Sequence, residues 1–216
     1  PEQIAIIKKD FNSITAENDM KPQPTEPAYG QFNWENADKI ADFCRSNGIK
    51  LRGHCLIWHS QIGQWMYQDE KGNPVSKEKL FANMKHHITA IMERYKDVVY
   101  AWDVVNEAIS DGGWQGSRPG MGQQSGPYRN SPLYQIAGNK IIKKAFIYAR
   151  EVDPDVLLFY NDYNAADPGK GDRIYNMVKA MKEEGVPIDG IGMQGHYNIY
   201  GPSMEDVDAA LTKYST

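Results

Sequence analysis

The sequence predicts an α/β protein, a (β/α)8 TIM barrel of which this chain carries about strands 2–6. Short segments rich in apolar and β-branched residues alternate with segments whose apolar residues recur every three or four positions, as in repeated βα units. No linker or shift in composition separates these units, so we expect parallel strands in one domain. Polar and aromatic residues end each candidate strand, which favours a barrel because barrel enzymes build their sites from several strand ends.

Five segments have the composition of strands, and they are residues 12–17, 50–58, 99–107, 156–163 and 188–196. The side chains at their carboxyl ends that suit a site are Glu17 and Asn18; His54 and Trp58; Asn106 and Glu107; Asn161, Asp162 and Tyr163; and Gln194 and His196. A doubly wound sheet is the alternative fold. It would hold its ligand at one switch point, and no G-x-G-x-x-G segment follows the first strand.

Apolar spacing predicts helices between the strands, and they cover residues 34–47, 77–95, 132–148, 168–185 and 203–212. We expect Asn33 to cap the first of these helices and Gly48 to stop it. Pro132 and Pro168 suit the first turn of the helices that they begin.

Charge and composition exclude several classes of protein. The chain has 216 residues with 24 Lys and Arg against 28 Asp and Glu, so it lacks the excess of positive charge that nucleic acid binding requires. No apolar run is long enough to span a membrane. Two cysteines, Cys44 and Cys55, are too few for a tetrahedral zinc site or a disulfide scaffold, and the sequence leaves their pairing open.

The length is short for a closed barrel, which typically needs about 250 residues. The first residues have the pattern of a helix without a preceding strand, and no strand follows the last predicted helix. We therefore expect an incomplete barrel that lacks its first strand and its last two. Residues 1–216 would be the central portion of one barrel domain.

The segment 99–107 ends in an amide and a carboxylate, Asn106 and Glu107. Apolar and aromatic neighbours disfavour an ionised carboxylate, so we expect the pKa of Glu107 to rise and the group to act as a general acid. The alternative is a capping or salt-bridged glutamate, which is the commoner case for an arbitrary Asn-Glu pair.

Two other strand ends carry residues that suit a polyhydroxylated ligand. His54 and Trp58 share a strand face, and Gln61 follows two residues after His59. Indole rings stack on sugars, and imidazoles and amides bond their hydroxyls. The alternative is that Trp58 belongs to the core and His54 bonds a neighbour.

In the last strand, small residues precede polar ones on one face, as expected of a crowded barrel interior that opens onto a site. The residues on that face are Gly190, Gly192, Gln194 and His196. The histidines lack metal-binding spacing, so we expect them to form hydrogen bonds and expect no metal.

The first strand is followed by a third group, Glu17, Asn18 and Lys21. A cluster that binds hydroxyls is the functional interpretation, and a surface ion pair is the alternative.

Together these segments resemble glycoside hydrolase family 10, the endo-β-1,4-xylanases. The resemblance is carried by Glu17-Asn-Asp-Met-Lys21, Gly53-His54-x-Leu56-x-Trp58-His59-Ser60-Gln61, Trp102-Asp-Val-Val-Asn-Glu107, Asn161-Asp-Tyr-Asn164 and Gln194-Gly-His196, in the family's order. Each motif is weak alone, but their order makes the resemblance specific.

The resemblance implies a retaining reaction in which Glu107 is the acid/base catalyst and Asn106 contacts the sugar at the cleavage site. The residues that it places around the substrate are Glu17, Asn18 and Lys21 on the next sugar; His54, Trp58 and Gln61 along both subsites; Tyr163 on the leaving-group side; and Gln194 and His196 beside the nucleophile. Residues 112–130 are expected to shape the leaving-group side.

A retaining enzyme needs a second carboxylate, which in this family is a glutamate that ends the seventh strand. No such glutamate follows His196, since Glu205 falls within the last predicted helix. We therefore expect this chain to carry the acid/base half of the site and to be inactive alone.

The predicted function is thus that of a secreted or periplasmic enzyme that cleaves internal β-1,4 bonds of xylan without a cofactor. Its expected partners are xylan or xylo-oligosaccharides, the missing barrel segment and attached carbohydrate-binding modules. Two alternatives stay open: a retaining β-1,4-glucanase, and a non-catalytic barrel that only binds carbohydrate.

Overall fold

A parallel sheet of five strands, in the order β1-β2-β3-β4-β5, forms the centre of the molecule. The structure is a computed structural model that describes residues 2–112 and 126–216. The strands are β1 (Ser13–Thr15), β2 (Lys50–Trp58), β3 (Val99–Asn106), β4 (Leu157–Tyr163) and β5 (Gly190–Gln194). Every neighbouring pair is parallel, so all carboxyl ends meet at one edge of the sheet.

Helices connect the strands, as the apolar spacing predicts. They are α1 (Glu2–Asp10), α2 (Pro22–Thr25), α3 (Glu35–Asn47), α4 (Lys77–Tyr95), α5 (Pro132–Ala137), α6 (Lys140–Val152), α7 (Pro168–Glu183) and α8 (Met204–Tyr214). In the described part of the chain, no helix is both long and apolar enough to cross a membrane.

Helix ends follow local chemistry. Gly48 ends α3 in a left-handed conformation with φ 62°, as predicted. The Ser76 side chain accepts a hydrogen bond from the Lys79 N–H at the start of α4, and Asp167 caps α7 in the same way through the Lys170 N–H. The predicted N-cap of α3 was wrong by one residue, because Trp34 occupies that position and Asn33 instead accepts from the Glu35 N–H at 3.3 Å.

The single helix predicted after Ser131 is in fact two helices, α5 and α6. Gly138 separates them with φ 62° and ψ −154°, a conformation that interrupts a helix and that glycine adopts without a steric penalty. Apolar spacing continues across the break, so periodicity alone did not show it. The outer strands β1 and β5 are also shorter than predicted, because their pairing covers only Ser13–Thr15 and Gly190–Gln194.

The main core lies between the sheet and the helices that cover it. Trp102 of β3 is 1% exposed, and Leu80, Met84 and Ile88 of α4 are fully buried with it in one apolar cluster. A Cβ atom at Gly53 would lie 2.2 Å from Trp102 Cε3, so only glycine fits beneath this indole. This packing sets the position of β2 and β3, whose ends carry most of the candidate site.

Cys44 and Cys55 are both buried free thiols. Burial raises the pKa of both, with Cys55 well above its ordinary value, so both stay protonated at neutral pH.

Candidate active site

A cleft of about 610 Å³ opens at the carboxyl ends of the strands. Most of the predicted site residues line it, namely Glu17, Lys21, His54, Trp58, Asn106, Glu107, Gln194 and His196. Asn18, Gln61 and Tyr163 are not among its lining residues. Side chains separated by up to 179 positions therefore come together as the barrel pattern predicts. All five strand ends contribute to the cleft, and β4 contributes Asn161.

Glu107 presents its carboxyl group to this cleft and accepts hydrogen bonds only from neutral donors among the described contacts. Trp58 Nε1 donates to Oε2 at 3.0 Å, and Asn106 Nδ2 and Gln194 Nε2 donate to Oε1 at 3.2 and 3.1 Å. No arginine or lysine bonds this carboxyl in the described part of the chain. Neutral donors alone therefore orient this carboxyl among the described residues.

The backbone of Glu107 is also held. Its φ is 58°, in the left-handed region that non-glycine residues seldom occupy. Its N–H donates to the Asn161 carbonyl at 2.9 Å, and its own carbonyl accepts from Arg129 Nε at 3.0 Å. The turn that ends β3 is therefore fixed on both sides of the peptide.

Amide side chains form a network beside the carboxyl. Asn106 Oδ1 accepts from Asn161 Nδ2 at 2.8 Å and from Gln194 Nε2 at 3.0 Å. Gln194 Oε1 lies 3.1 Å from His196 Nε2, which extends the network to the exposed rim. Gly192 leaves the space that this network needs, since a Cβ there would lie 2.5 Å from Asn161 Oδ1.

Next to this network, charged groups hold the imidazole of His54. Its Nδ1 lies 2.8 Å from Asp103 Oδ2, and Asp103 Oδ1 accepts from Arg52 at 3.0 and 2.5 Å. Because an ionised carboxylate only accepts, His54 Nδ1 carries the proton and a neutral ring keeps Nε2 as an acceptor. Asp103 is 2% exposed, so its charge is compensated inside the protein.

Lys21 and Trp58 form a further contact at the cleft. The Lys21 side chain is 7% exposed, donates to Asn18 Oδ1 at 2.8 Å, and lies 4.6 Å from the Trp58 ring centroid. Glu17 is exposed at the same edge. A cation, an acceptor and an indole thus face the cleft together, which suits a ligand with hydroxyl groups and an apolar face.

The comparisons with known proteins agree with this geometry. The model of glycosyl hydrolase family 10 matches residues 1–216. The chain belongs to this family.

Curated relatives match along nearly the whole chain. An endo-1,4-beta-xylanase/feruloyl esterase of Xylanibacter ruminicola is 55% identical over 220 residues, which cover 100% of this chain and 30% of the relative. Endo-1,4-beta-xylanase B of Paenibacillus barcinonensis is 43% identical over 211 residues, which cover 98% of this chain and 60% of the relative. The chain therefore spans less than two thirds of the length of these relatives.

Solved family 10 structures show the same fold. A psychrophilic family 10 endo-beta-1,4-xylanase superposes with a TM-score of 0.92 at 67% identity, covering 100% of this chain and 64% of that one. Xylanase XynB of Paenibacillus barcinonensis, complexed with a conduramine derivative, superposes with a TM-score of 0.89 at 43% identity, covering 98% of this chain and 60% of that one. The predicted fold class is confirmed, and the five βα units form part of the family 10 barrel.

Tyr163, predicted on the leaving-group side, belongs to a polar cluster with Arg129, Asp111 and Lys170. Its hydroxyl accepts from Arg129 Nη2 at 2.9 Å and bonds Asp111, and its ring centroid is 3.5 Å from Lys170 Nζ. The predicted leaving-group segment, residues 112–130, falls largely outside the described residues.

Gln61, also predicted to line the subsites, is held mainly by its backbone. It has φ 43°, and its carbonyl accepts from the Gln23 N–H at 2.8 Å, which joins the turn after β2 to α2.

Sequence reasoning missed Arg52, Asp103 and Arg129 as parts of the site. Arg52 lies two positions before His54, and Asp103 lies four positions before Glu107. Even spacing puts residues on the same face of a strand, so this alternation could have indicated both. Arg129 contacts Glu107 from 22 positions away, and no local pattern reveals such a contact.

His59 is a further group at this site. Burial lowers its pKa to about 4, and nearby Arg129 acts in the same direction. Its Nδ1 is buried without a hydrogen-bond partner among the described residues. His59 is therefore neutral at pH 7 and does not act as a cation beside Glu107.

Proposed function

We propose that this protein is a retaining endo-1,4-β-xylanase that cleaves internal xylosidic bonds of xylan, with Glu107 as the acid/base catalyst. Membership of glycosyl hydrolase family 10 supports the reaction class, and the relatives described above are named endo-1,4-beta-xylanases. These relatives are longer than this chain, so the proposal concerns the full-length protein that contains it.

The observation that carries the proposal is the carboxyl of Glu107 in the cleft, oriented by Trp58, Asn106 and Gln194. In the first step, the Glu107 proton passes to the glycosidic oxygen as the bond from that oxygen to the sugar carbon breaks. In the second step, the resulting carboxylate takes a proton from the water that attacks the glycosyl-enzyme intermediate. Neutral donors stabilise one orientation of the carboxyl through both protonation states.

Other residues of the cleft suit the sugars on the non-reducing side. We assign Glu17, Asn18 and Lys21 to the hydroxyls of the sugar next to the cleavage site. His54 offers an acceptor through Nε2, and Trp58 offers an indole beside Lys21. A xylan chain alternates hydroxyl edges with C–H faces, which matches this arrangement of polar and aromatic groups.

The retaining reaction also needs a nucleophilic carboxylate about 5–5.5 Å from the acid/base. Among described residues, the other carboxylates that line the cleft are Glu17 and Asp103. Asp103 is occupied by Arg52 and His54, and Glu205 is exposed on α8 outside the cleft. We assign the nucleophile to a part of the protein beyond these 216 residues, beside Gln194 and His196. The reaction between two carboxylates uses no metal or organic cofactor.

The test is the release of reducing ends from xylan by the full-length protein and its Glu107→Gln variant. Loss of general acid catalysis should lower kcat/KM on xylan by about 10²–10⁴-fold. Glu151→Gln is the matched control, because Glu151 pairs with Lys85 on the surface, and it should leave the rate unchanged.

Three outcomes contradict the proposal. A Glu107→Gln variant that retains the xylan rate would exclude Glu107 as the acid/base. Faster cleavage of β-1,4-glucan than of xylan would indicate a glucanase. Binding of xylan without any release of reducing ends by the unmodified full-length protein would indicate a non-catalytic carbohydrate binder.

A further inference from the structure

We propose that Arg129 is a positioning residue for the reaction, which holds the Glu107 peptide so that the carboxyl points at the leaving-group oxygen. This inference rests on the proposed role of Glu107 as the acid/base. In the described part of the chain, Arg129 neither bonds the Glu107 carboxyl nor lines the cleft, and it lines a small adjoining cavity together with Trp58 and Glu107.

The need for such a residue follows from the backbone of Glu107. A non-glycine residue with φ 58° is strained and persists only where its surroundings hold it in place. Rotation of this peptide would redirect the side chain, because the Cα–Cβ bond turns with the backbone. The direction of the carboxyl therefore depends on the hydrogen bonds of the adjoining peptides.

Those hydrogen bonds come from three directions. The Asn161 carbonyl accepts from the Glu107 N–H at 2.9 Å, and the Tyr160 hydroxyl accepts from the N–H groups of Ala108 and Ile109, both at 3.0 Å. The Glu107 carbonyl accepts from Arg129 Nε at 3.0 Å. The Arg129 N–H in turn donates to the Ala108 carbonyl at 2.8 Å, so side chain and backbone of Arg129 bracket the turn.

Arg129 is itself held firmly. Its Nη2 donates to the Tyr163 hydroxyl at 2.9 Å and lies 3.3 Å from Asp111 Oδ2, and its side chain is 17% exposed. The guanidinium is thus fixed at two ends, since Nε bonds the Glu107 carbonyl and Nη2 bonds Tyr163 and Asp111. A planar group with several donors in fixed geometry suits this task, and lysine would replace only one of its contacts.

The contact goes to the carbonyl of Glu107 and leaves its carboxyl to Trp58, Asn106 and Gln194. An arginine bound directly to the carboxyl would favour its ionised form and oppose proton donation. Arg129 can therefore orient the acid without removing its proton.

The dependence on leaving group separates positioning from a general structural role. The glycosidic oxygen of xylan needs a proton from Glu107 as its bond breaks, whereas a dinitrophenolate leaves as a stable anion without one. A misdirected Glu107 should slow xylan cleavage and leave the first step on a dinitrophenyl β-xylobioside nearly unchanged.

The experiment compares Arg129→Met and Arg129→Lys in the full-length protein. We expect kcat/KM on xylan to fall about 10–100-fold for Arg129→Met, as for other small misplacements of a catalytic group. The kcat/KM on the dinitrophenyl substrate, which reports the first step, should stay within about threefold of the unmodified protein. Arg129→Lys should recover part of the kcat/KM on xylan.

Arg150→Met is the matched control. Arg150 also donates to backbone carbonyls, those of Pro154 at 2.7 Å and Val156 at 2.8 Å, but it lies at the opposite end of β4. Arg150→Met should lower the thermal stability and should change kcat/KM on the two substrates by the same factor.

An equal loss of rate on both substrates, or an unchanged rate on xylan, would overturn the proposal. If Arg129→Met does not fold, Tyr163→Phe serves instead, because it removes the hydroxyl that holds Arg129 Nη2 and keeps the ring on Lys170. A smaller loss confined to xylan is then expected, and its absence would also overturn the proposal. Glu107→Gln is measured in parallel. If this variant does not lose more rate on xylan than on the dinitrophenyl substrate, the acid/base assignment itself is refuted.

Discussion

Two glutamates of this chain, Glu26 and Glu107, accept a similar number of hydrogen bonds yet differ in what they can do. Glu26 is fully buried and accepts from His86 at 3.0 Å, from His87 at 2.8 Å and from the Gly30 N–H at 2.8 Å. Glu107 is half-buried and faces an open cleft. Under the proposed function, access to a cleft at a strand end, rather than the number of hydrogen bonds, distinguishes the reactive carboxyl of Glu107 from the structural one of Glu26.

Glu26 stabilises the segment that precedes α3. Its carbonyl accepts from Trp65 Nε1 at 2.9 Å, while its side chain ties the segment to α4. Thr25 links this anchor to the cleft wall, since its hydroxyl donates to the Lys21 carbonyl at 2.8 Å. The Glu26 cluster, consisting of Glu26, His86 and His87, therefore supports the position of Lys21 from outside the cleft.

The largest expected effects fall on different quantities for the two glutamates, namely stability for Glu26 and the rate on xylan for Glu107. Glu26→Gln should lower the free energy of unfolding by about 1–3 kcal/mol, because a buried histidine then faces an amide N–H₂ group instead of an acceptor. Glu107→Gln should change stability little and affect mainly the xylan rate. Urea denaturation and xylan assays on both full-length variants test this, and a Glu26→Gln variant of unchanged stability would contradict the comparison.

A smaller effect is expected at Asp103, which holds the imidazole of His54. Asp103→Asn replaces an acceptor of His54 Nδ1 with a group that also donates, so the ring no longer has one preferred tautomer. We expect kcat/KM on xylan to fall about tenfold, the cost of about one hydrogen bond. Asp97→Asn is the control, since Asp97 pairs with Arg45 on the surface. Equal rates for the two variants would show that Asp103 does not orient His54.

The last expected effect appears only below about pH 6.5 and concerns His59. Its folded pKa of about 4 lies below the ordinary value of 6.5, so the unfolded chain binds more protons between these pH values. His59 therefore contributes a loss of stability as pH falls from 6.5 to 4, with a slope of at most about 1.4 kcal/mol per pH unit. His59→Gln should make unfolding free energy less dependent on pH in this window. An unchanged pH dependence in urea titrations would contradict the burial of this imidazole.

Much of the fold could be predicted because it depends on local patterns. The spacing in α4 and the alternation in β2 specified both elements from end to end, and the order of strand ends placed Glu107 beside Gln194. Periodicity did not show the break at Gly138, because apolar spacing resumes in register after it.

The missing parts of the site depend on contacts between distant positions. Glu26 and His87 are 61 positions apart, and Arg52 and Asp103 are 51 apart. Motif analysis selected residues with recognisable chemistry at strand ends. It did not select the groups that hold them, because arginines and aspartates of this kind are common on protein surfaces and only the fold brings them together.

Rescue of the Glu107→Ala variant by azide tests the central claim most directly. In the full-length protein acting on a dinitrophenyl β-xylobioside, the intermediate should form but hydrolyse slowly, because no base activates water. Azide needs no base, so it should restore turnover and give a xylobiosyl azide of retained β configuration. Absence of any azide effect, or a product of inverted configuration, would contradict the assignment of Glu107 as the acid/base of a retaining enzyme.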